Sequence, residues 1–397
     1  MLKNKKMSTA KELVKIRNLA MSFHVRTFGC QMNVRDSEVI CGLLQKSGYR
    51  LSGTDQEADI VIFNTCSVRK HAEERVWSLI GSYKGSKIIG LVGCMAQNYK
   101  QQAFERDSHI SFVVGPQDIE KIPGIIGQLS ADKRQLSAKS LYDRKIWETD
   151  GLKRPEEVYH SGFYQDKKQA YVVISEGCSN FCSYCVVPYV RGPLRHRKYK
   201  NILAEIEQAI GQGVTKVTLL GQNVNAYRDE QVNFTKLLKQ VNALDGLKEF
   251  DFFTSHPKDA NPDFFKAIRD LEKSVKRLHL PLQSGSDRIL KLMRRGYTVK
   301  DYLALIDSYR KIVKQGLLTT DIIVGFPTET AEEFQETCAL VKSVRFNAAY
   351  IFKYSSRPGT EAAKIVDVLK LQEKEKRHKK ILDLQRNISR ELSGKRT

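Results

Sequence analysis

From His24 onward the chain alternates short apolar runs with segments in which apolar residues recur every three or four positions. Runs at 24–28, 59–63 and 87–92 predict strands, and 37–46 and 67–83 predict amphipathic helices between them. Together they make one parallel α/β domain over residues 22–129. Residues 130–165 are polar, mixed in charge and without period, which predicts a linker with room for one strand. A second alternation begins at 166 and runs to 397. Its apolar runs, at 171–174, 216–220, 249–254, 277–282, 318–324 and 348–354, predict six strands. Helical spacing fills the gaps, for example Ile202, Ile206, Ala209 and Ile210, or Leu237, Leu238, Val241 and Leu244. Six right-handed βα repeats make a parallel barrel or three-quarter barrel. A charged helix over 369–392 ends the pattern.

Composition narrows the class. At 397 residues the chain is long enough for two cores, and no apolar run approaches the roughly 20 residues that span a bilayer, so the expectation is a soluble protein. Lysine and arginine outnumber aspartate and glutamate by 66 to 45, a formal charge of +21. Such a surface speeds encounter with polyanions, which makes nucleic acid the first partner to consider; a solvated lysine-rich surface is the plain alternative. Residues 1–21 form a basic extension with five lysines and an arginine, and Met7 and Met21 are alternative starts. This extension has neither the apolar core nor the cleavage site of a secretion signal, which disfavours disulfides.

The densest chemistry is Cys178, Cys182 and Cys185, in the loop after the first barrel strand. Loops at the carboxyl ends of parallel strands face a common cleft, where reactive groups gather. Three thiolates are one fewer than a closed site needs, so a 4Fe-4S cluster held here keeps one iron open; a zinc site completed by His196 is the alternative. Cys30, Cys66 and Cys94 follow three strands of the first domain, so a parallel sheet delivers three thiols to one edge. Buried cysteines at strand ends are common, and that reading stays open beside a second cluster. Cys41 and Cys338 have apolar helical neighbours and read as core cysteines. Arg191, Arg195, Arg197, Lys198 and Lys200 form a basic stretch beyond the cysteine loop, suited to RNA phosphates or to plain solvation. Isolated His71, His256 and His279 read as structural hydrogen-bonding residues rather than metal ligands.

The run from Gly177 to Cys185 with Val186-Val187-Pro188-Tyr189-Val190-Arg191-Gly192 resembles the radical S-adenosylmethionine methylthiotransferases. So do Phe28-Gly29-Cys30-Gln31-Met32-Asn33, Asn64-Thr65-Cys66-Ser67-Val68-Arg69, Gly93-Cys94-Met95-Ala96-Gln97 and Leu220-Gly221-Gln222-Asn223-Val224-Asn225. The resemblance covers about residues 22–395. It implies a Rossmann-like parallel α/β domain followed by a radical SAM partial (β/α)6 barrel of TIM type. It also implies two 4Fe-4S clusters, held by Cys178, Cys182 and Cys185 and by Cys30, Cys66 and Cys94. S-adenosylmethionine would chelate the open iron of the barrel cluster and be split to a 5'-deoxyadenosyl radical, and the other cluster would supply sulfur. Tyr184, Gln222, Asn223, Ser255, Gln283 and Asp321 become candidates for binding S-adenosylmethionine, with Gly325-Phe326-Pro327 on its adenine side. The Cys30-Gln31-Met32-Asn33 and Ser67-Val68-Arg69 forms are similar to the branch that modifies carbon 2 of N6-dimethylallyladenosine at position 37 of tRNA. The implied partners are that anticodon stem-loop and an electron donor such as a flavodoxin or ferredoxin, for a cytoplasmic monomer. Other acceptors, another modified adenosine or a ribosomal protein side chain, stay open, as does a non-catalytic iron-sulfur RNA-binding protein.

Two departures stand out. Leu194 and His196 occupy places where the family pattern has glutamate and serine. The family pattern also continues into a small β-barrel RNA-binding domain, TRAM, where this sequence stops at Thr397. The expectation is either a truncated sequence or tRNA gripped by basic surface alone, with a steeper salt dependence.

Overall fold

The computed structural model describes residues 21–67, 70–83, 87–135 and 145–394. The basic extension up to residue 20, Val68 and Arg69, the middle of the expected linker and Thr397 lie outside the described residues. The chain divides between Gln165 and Asp166 into two compact units. No helix among the described residues is long and apolar enough to cross a membrane.

The first unit is built on a six-stranded, wholly parallel sheet of β1 (Ser22–Phe28), β2 (Arg50–Leu51), β3 (Ile60–Thr65), β4 (Ile88–Gly93), β5 (Ile110–Val114) and β6 (Ile146–Glu148). Its order is β2-β1-β3-β4-β5-β6. All six residues of β3 are buried, as expected of a parallel strand covered on both faces. Ile60 and Ile62 enter one core with Val39, Ile40 and Leu44, while Val61 and Phe63 enter the other with Val76 and Ile80.

Gly90 in β4 is where one face comes closest. A Cβ there would stand 2.1 Å from the Phe112 ring, so Gly90→Ala is expected to destabilise this unit by about 1–3 kcal/mol. A lowered urea midpoint checks it; an unchanged midpoint would show that Phe112 can swing aside.

Two sequence expectations shift. The first helix begins at Gln31 rather than 37, because the Cys30 carbonyl accepts from the Asn33 and Val34 amides and the Asn33 side chain returns to the Cys30 amide. Residues 145–165, expected as linker, carry β6 and pack on the first unit. Arg154 is buried against Asp36 at 2.8 Å, and Arg35 donates to the carbonyls of Tyr159 (2.7 Å) and Phe163 (3.2 Å). Charges buried on helix Gln31–Lys46 bind this stretch, so its polar composition concealed its order.

The second unit carries parallel strands β7 (Gln169–Val173), β8 (Lys216–Leu220), β9 (Glu249–Phe252), β10 (Arg277–His279), β11 (Leu317–Val324) and β12 (Ala348–Lys353). β7, β8 and β9 pair in register, as do β10, β11 and β12. A parallel bridge from Phe250 to Ser274 joins the two halves, so spatial order equals chain order. That is a partial (β/α)6 barrel with β7 and β12 at its ends. Helices close it outside, well capped where Thr298 and Thr330 form boxes with Asp301 and Glu333. Helix Leu371–Gly394 lies against β12, anchored by buried Arg377 on Glu329 at 2.7 Å.

Candidate functional site

The barrel cysteines sit at the tip of a small hairpin beyond β7, where Ser175–Glu176 pairs antiparallel with Arg195–His196. Gly177 enters the tip at φ 73°, and a Cβ there would lie 2.2 Å from the Pro193 carbonyl, so only glycine lets the two arms approach. The Cys178 amide donates to the Gly192 carbonyl at 3.1 Å, the Cys185 amide to Cys182 at 3.0 Å, and the Ser183 amide to Met293 at 3.1 Å. None of the chain's eight cysteines, all among the described residues, is in a disulfide. Burial pushes the Cys185 thiol up to about 12, and neighbouring Cys182 and Cys178 add to it; Cys178 is raised for the same reasons. Cys182 is buried and Cys178 and Cys185 are half-buried, close enough for each thiol to feel its neighbours.

One residue that sequence reasoning missed stands there. Arg295 is buried and donates to Cys182 Sγ at 3.3 Å and to the Tyr184 hydroxyl at 3.4 Å. Tyr184 packs against the cluster of Met293 and Phe326. Phe326 is fully buried edge-on to Tyr354, so its ring belongs to the core rather than to an open adenine face.

Near the strand ends of the second unit several buried polar atoms lack a protein partner, among them Gln222 Oε1, Asn223 Oδ1, Ser255 Oγ, His256 Nε2 and Gln283 Oε1. Buried polar groups are nearly always satisfied, so these atoms are available to a polar ligand. Thr254 and Gln283, both at φ 72°, hold left-handed backbone at these ends, a strain that clusters at binding sites. Asn223 is oriented by its own donation to Asp259 at 2.7 Å. Asp321 lies inside β11 rather than at its end and meets His279 Nε2 at 3.3 Å.

His256 gives this rim a pH signature. Burial, then Arg295 and Lys258, hold its imidazole down at about 2, and its Nδ1 accepts the Lys258 amide at 3.2 Å, a bond that needs the neutral ring. The unfolded chain protonates this histidine near pH 6.5, so its stabilising contribution is full above about 6.5 and is lost progressively as pH falls toward the folded value. Melting temperature should fall on acidification from about pH 7 to 5, and His256→Asn should flatten that slope; equal slopes in both chains would refute this.

In the first unit, Phe28, Thr65 and Gly93 align across β1, β3 and β4, and Cys30, Cys66 and Cys94 follow them on adjacent strand ends. A Cβ on Gly29 would come 2.8 Å from Cys66 Cβ, which shows how closely the first two turns approach. Beneath them Asn33 Nδ2 donates to Asn64 Oδ1 at 3.1 Å, and Asn64 Nδ2 donates to the Asn33 carbonyl and to Ser37. This buried amide pair ties the helix bearing Cys30 to the strand bearing Cys66. Gly93, at φ 92°, has no room for a Cβ beside it. Cys41 and Cys338 lie elsewhere, buried.

The basic stretch is corrected by burial. Arg191 is 2% exposed and lies 3.8 Å from Glu176; Arg197 is 4% exposed and pairs with Glu205. These cations neutralise carboxylates inside the unit, so neither can meet RNA. Arg195 also leans toward Glu176, at 3.8 Å, and Lys198 and Lys200 are exposed. His196 lies edge-on to Tyr227 and lines a polar cavity of about 520 Å³ with Asn225, Arg228, Lys258 and Asp259. Among the described residues no three histidine, cysteine, aspartate or glutamate side chains gather tightly enough for a single metal ion, which leaves zinc with His196 without support. A four-iron cluster is wider and asks for spaced thiolates, with which three cysteines on one short loop are compatible.

Comparison with known proteins agrees with this geometry. A family model described as the radical SAM superfamily matches residues 172–341, and one described as uncharacterized protein family UPF0004 matches residues 22–115. The tRNA-2-methylthio-N(6)-dimethylallyladenosine synthase of Thermoanaerobacter pseudethanolicus is 42% identical over 384 residues, 94% of this chain and 79% of that protein. The synthase of the same name from Carboxydothermus hydrogenoformans is 39% identical over 390 residues, 94% of this chain and 85% of the relative. Among solved structures, the radical S-adenosylmethionine methyltransferase TsrM from Kitasatospora setae aligns with a TM-score of 0.58 at 14% identity, covering 87% of this chain and 74% of that one. That likeness speaks for the fold alone. Shared sequence along nearly its whole length, together with cysteines gathered in both units, means that the chain belongs to the radical S-adenosylmethionine methylthiotransferase family, beside the tRNA-2-methylthio-N6-dimethylallyladenosine synthases.

Proposed function

We propose that this enzyme adds a methylthio group to carbon 2 of N6-dimethylallyladenosine at position 37 of tRNA, with S-adenosylmethionine and two 4Fe-4S clusters as cofactors. The observation that carries the reading is that each unit brings three cysteines to the carboxyl end of its parallel sheet, in one loop after β7 in the second unit and after three neighbouring strands in the first. Bound there, the clusters and S-adenosylmethionine supply one-electron cleavage of a carbon-sulfur bond and removal of an inert hydrogen, which acid-base groups cannot provide.

The protein's part is to bind, orient and exclude water. Cys178, Cys182 and Cys185 would hold the cluster that meets S-adenosylmethionine, and Cys30, Cys66 and Cys94 the other. Gln222, Asn223, Ser255 and Gln283 would take up the polar groups of S-adenosylmethionine on atoms that otherwise stay unsatisfied. Asp321, held by His279, would present its carboxylate to the barrel interior. Tyr184 would act from the side through Arg295. Exposed Lys198 and Lys200, with Arg195 at their flank, would meet phosphates of the anticodon stem-loop. A one-electron carrier of the flavodoxin or ferredoxin class, a cytoplasmic setting and a monomeric state complete the reading.

Mass spectrometry of tRNA nucleosides tests it. Cells lacking the gene should accumulate dimethylallyladenosine without its methylthio group, and the intact gene should restore it. Unchanged tRNA nucleosides alongside a lost methylthio group elsewhere would favour a different acceptor.

A further inference from the structure

We propose that Arg295 is a positioning residue that holds a fixed positive charge against Cys182, so that the cluster site of the second unit is charge-compensated from the protein side. This rests on the assignment of Cys178, Cys182 and Cys185 under the proposed function.

The observation is a buried guanidinium without a carboxylate. Arg295 is 5% exposed, and its partners are the Tyr297 hydroxyl (3.0 Å from Nε), the Tyr184 hydroxyl (3.4 Å), the Pro281 carbonyl (3.4 Å) and Cys182 Sγ (3.3 Å). Among the described residues no acidic side chain reaches it. Elsewhere in the same unit buried arginines meet carboxylates: Arg197 has Glu205, and Arg377 has Glu329. Neutral oxygens satisfy hydrogen bonds but leave the charge uncompensated, a costly arrangement in a protein interior. The charge is balanced once the neighbouring sulfur is a thiolate, and three thiolates around an iron core put net negative charge in this pocket. One-electron reduction adds another unit. A cation on the sulfur stabilises the reduced form, as hydrogen bonds to cluster sulfurs do in general.

Backbone geometry aims the side chain. The helix Asp287–Leu292 ends in a turn with Arg294 at φ 56° and the Arg295 amide bonded back to Leu290 at 3.0 Å, which points Arg295 inward. The same turn grips the cysteine loop a second time, through the Met293 carbonyl and the Ser183 amide. An arginine suits the place because its fork reaches sulfur, hydroxyl and carbonyl from one rigid plane.

The test uses the full chain with Cys30, Cys66 and Cys94 changed to alanine, so that one cluster remains, and adds Arg295→Met or Arg295→Lys. Arg295→Met should raise the melting temperature of the iron-free protein, because an unbalanced buried charge is gone. The same change should weaken iron retention against a chelator by about 10-fold or more and move the cluster's midpoint potential, followed by electron paramagnetic resonance, to more negative values. Arg295→Lys should bring the midpoint back toward the parent. An Arg295→Met chain with the parent's midpoint and iron release overturns the inference, and so does a lower iron-free melting temperature with an unmoved midpoint, the mark of a structural role. If the parent takes up no four-iron cluster, the site assignment fails, and the inference fails with it.

Discussion

Replacement of Cys182 by alanine is expected to abolish release of 5'-deoxyadenosine from S-adenosylmethionine and to leave about four of roughly eight irons per chain. The reasoning is local. Cys182 is the buried middle cysteine of the hairpin loop, in contact with Arg295, and the one other cysteine among the described residues of the second unit outside that loop, Cys338, is in a helix core. Two thiolates cannot keep the corner geometry that leaves one iron open. The change removes a single sulfur from a loop otherwise fixed by the backbone bonds of Cys178, Ser183 and Cys185, so the fold should survive. Iron and sulfide analysis after anaerobic reconstitution, with chromatography of the nucleoside product, measures both effects. A Cys182→Ala chain that still produced 5'-deoxyadenosine at the parent rate would remove the chemical basis of the assignment.

Cys66→Ala should give the complementary phenotype: the same loss of about half the iron, continued cleavage of S-adenosylmethionine, and no methylthiolated adenosine. Cys66 belongs to the other unit, one residue beyond β3 and flanked on β1 and β4 by the strand ends that carry Cys30 and Cys94. Its side chain is small and buried, so alanine leaves little cavity. Radical generation therefore persists while the sulfur source is gone. Quantifying 5'-deoxyadenosine and modified nucleoside in one reaction separates the two units' tasks. Wild-type levels of methylthio product from this variant would show that Cys30, Cys66 and Cys94 do not hold the sulfur-donating cluster.

The reading of the basic stretch shows where linear patterns mislead. Five cations within ten residues look like an electrostatic face, yet Arg191 and Arg197 point inward, because Glu176 and Glu205 are buried on neighbouring elements and demand counter-charges. Residues 145–165 mislead in the opposite sense. Polar composition suggests a tether, but Asp36, Arg35 and Glu38 on the first helix bind it through Arg154 and the backbone of Tyr159, Phe163 and Gln165. In both cases the deciding partner is remote along the chain, and periodicity carries no information about it.

Apolar periodicity and cysteine spacing were enough to announce two α/β units and the chemistry they share, because strand burial and strand-end placement repeat locally with every βα turn. Motif identity was enough to point to a family. Folding in three dimensions alone decided which cations face water and that Asp321 meets His279 of the neighbouring strand. It also decided that Arg295, more than a hundred residues from Cys182 in the chain, stands within hydrogen-bonding reach of its sulfur. The physical reason is that counter-charges and buried polar partners are chosen by proximity in the folded core, where desolvation makes each unpaired group costly, whatever its distance along the chain.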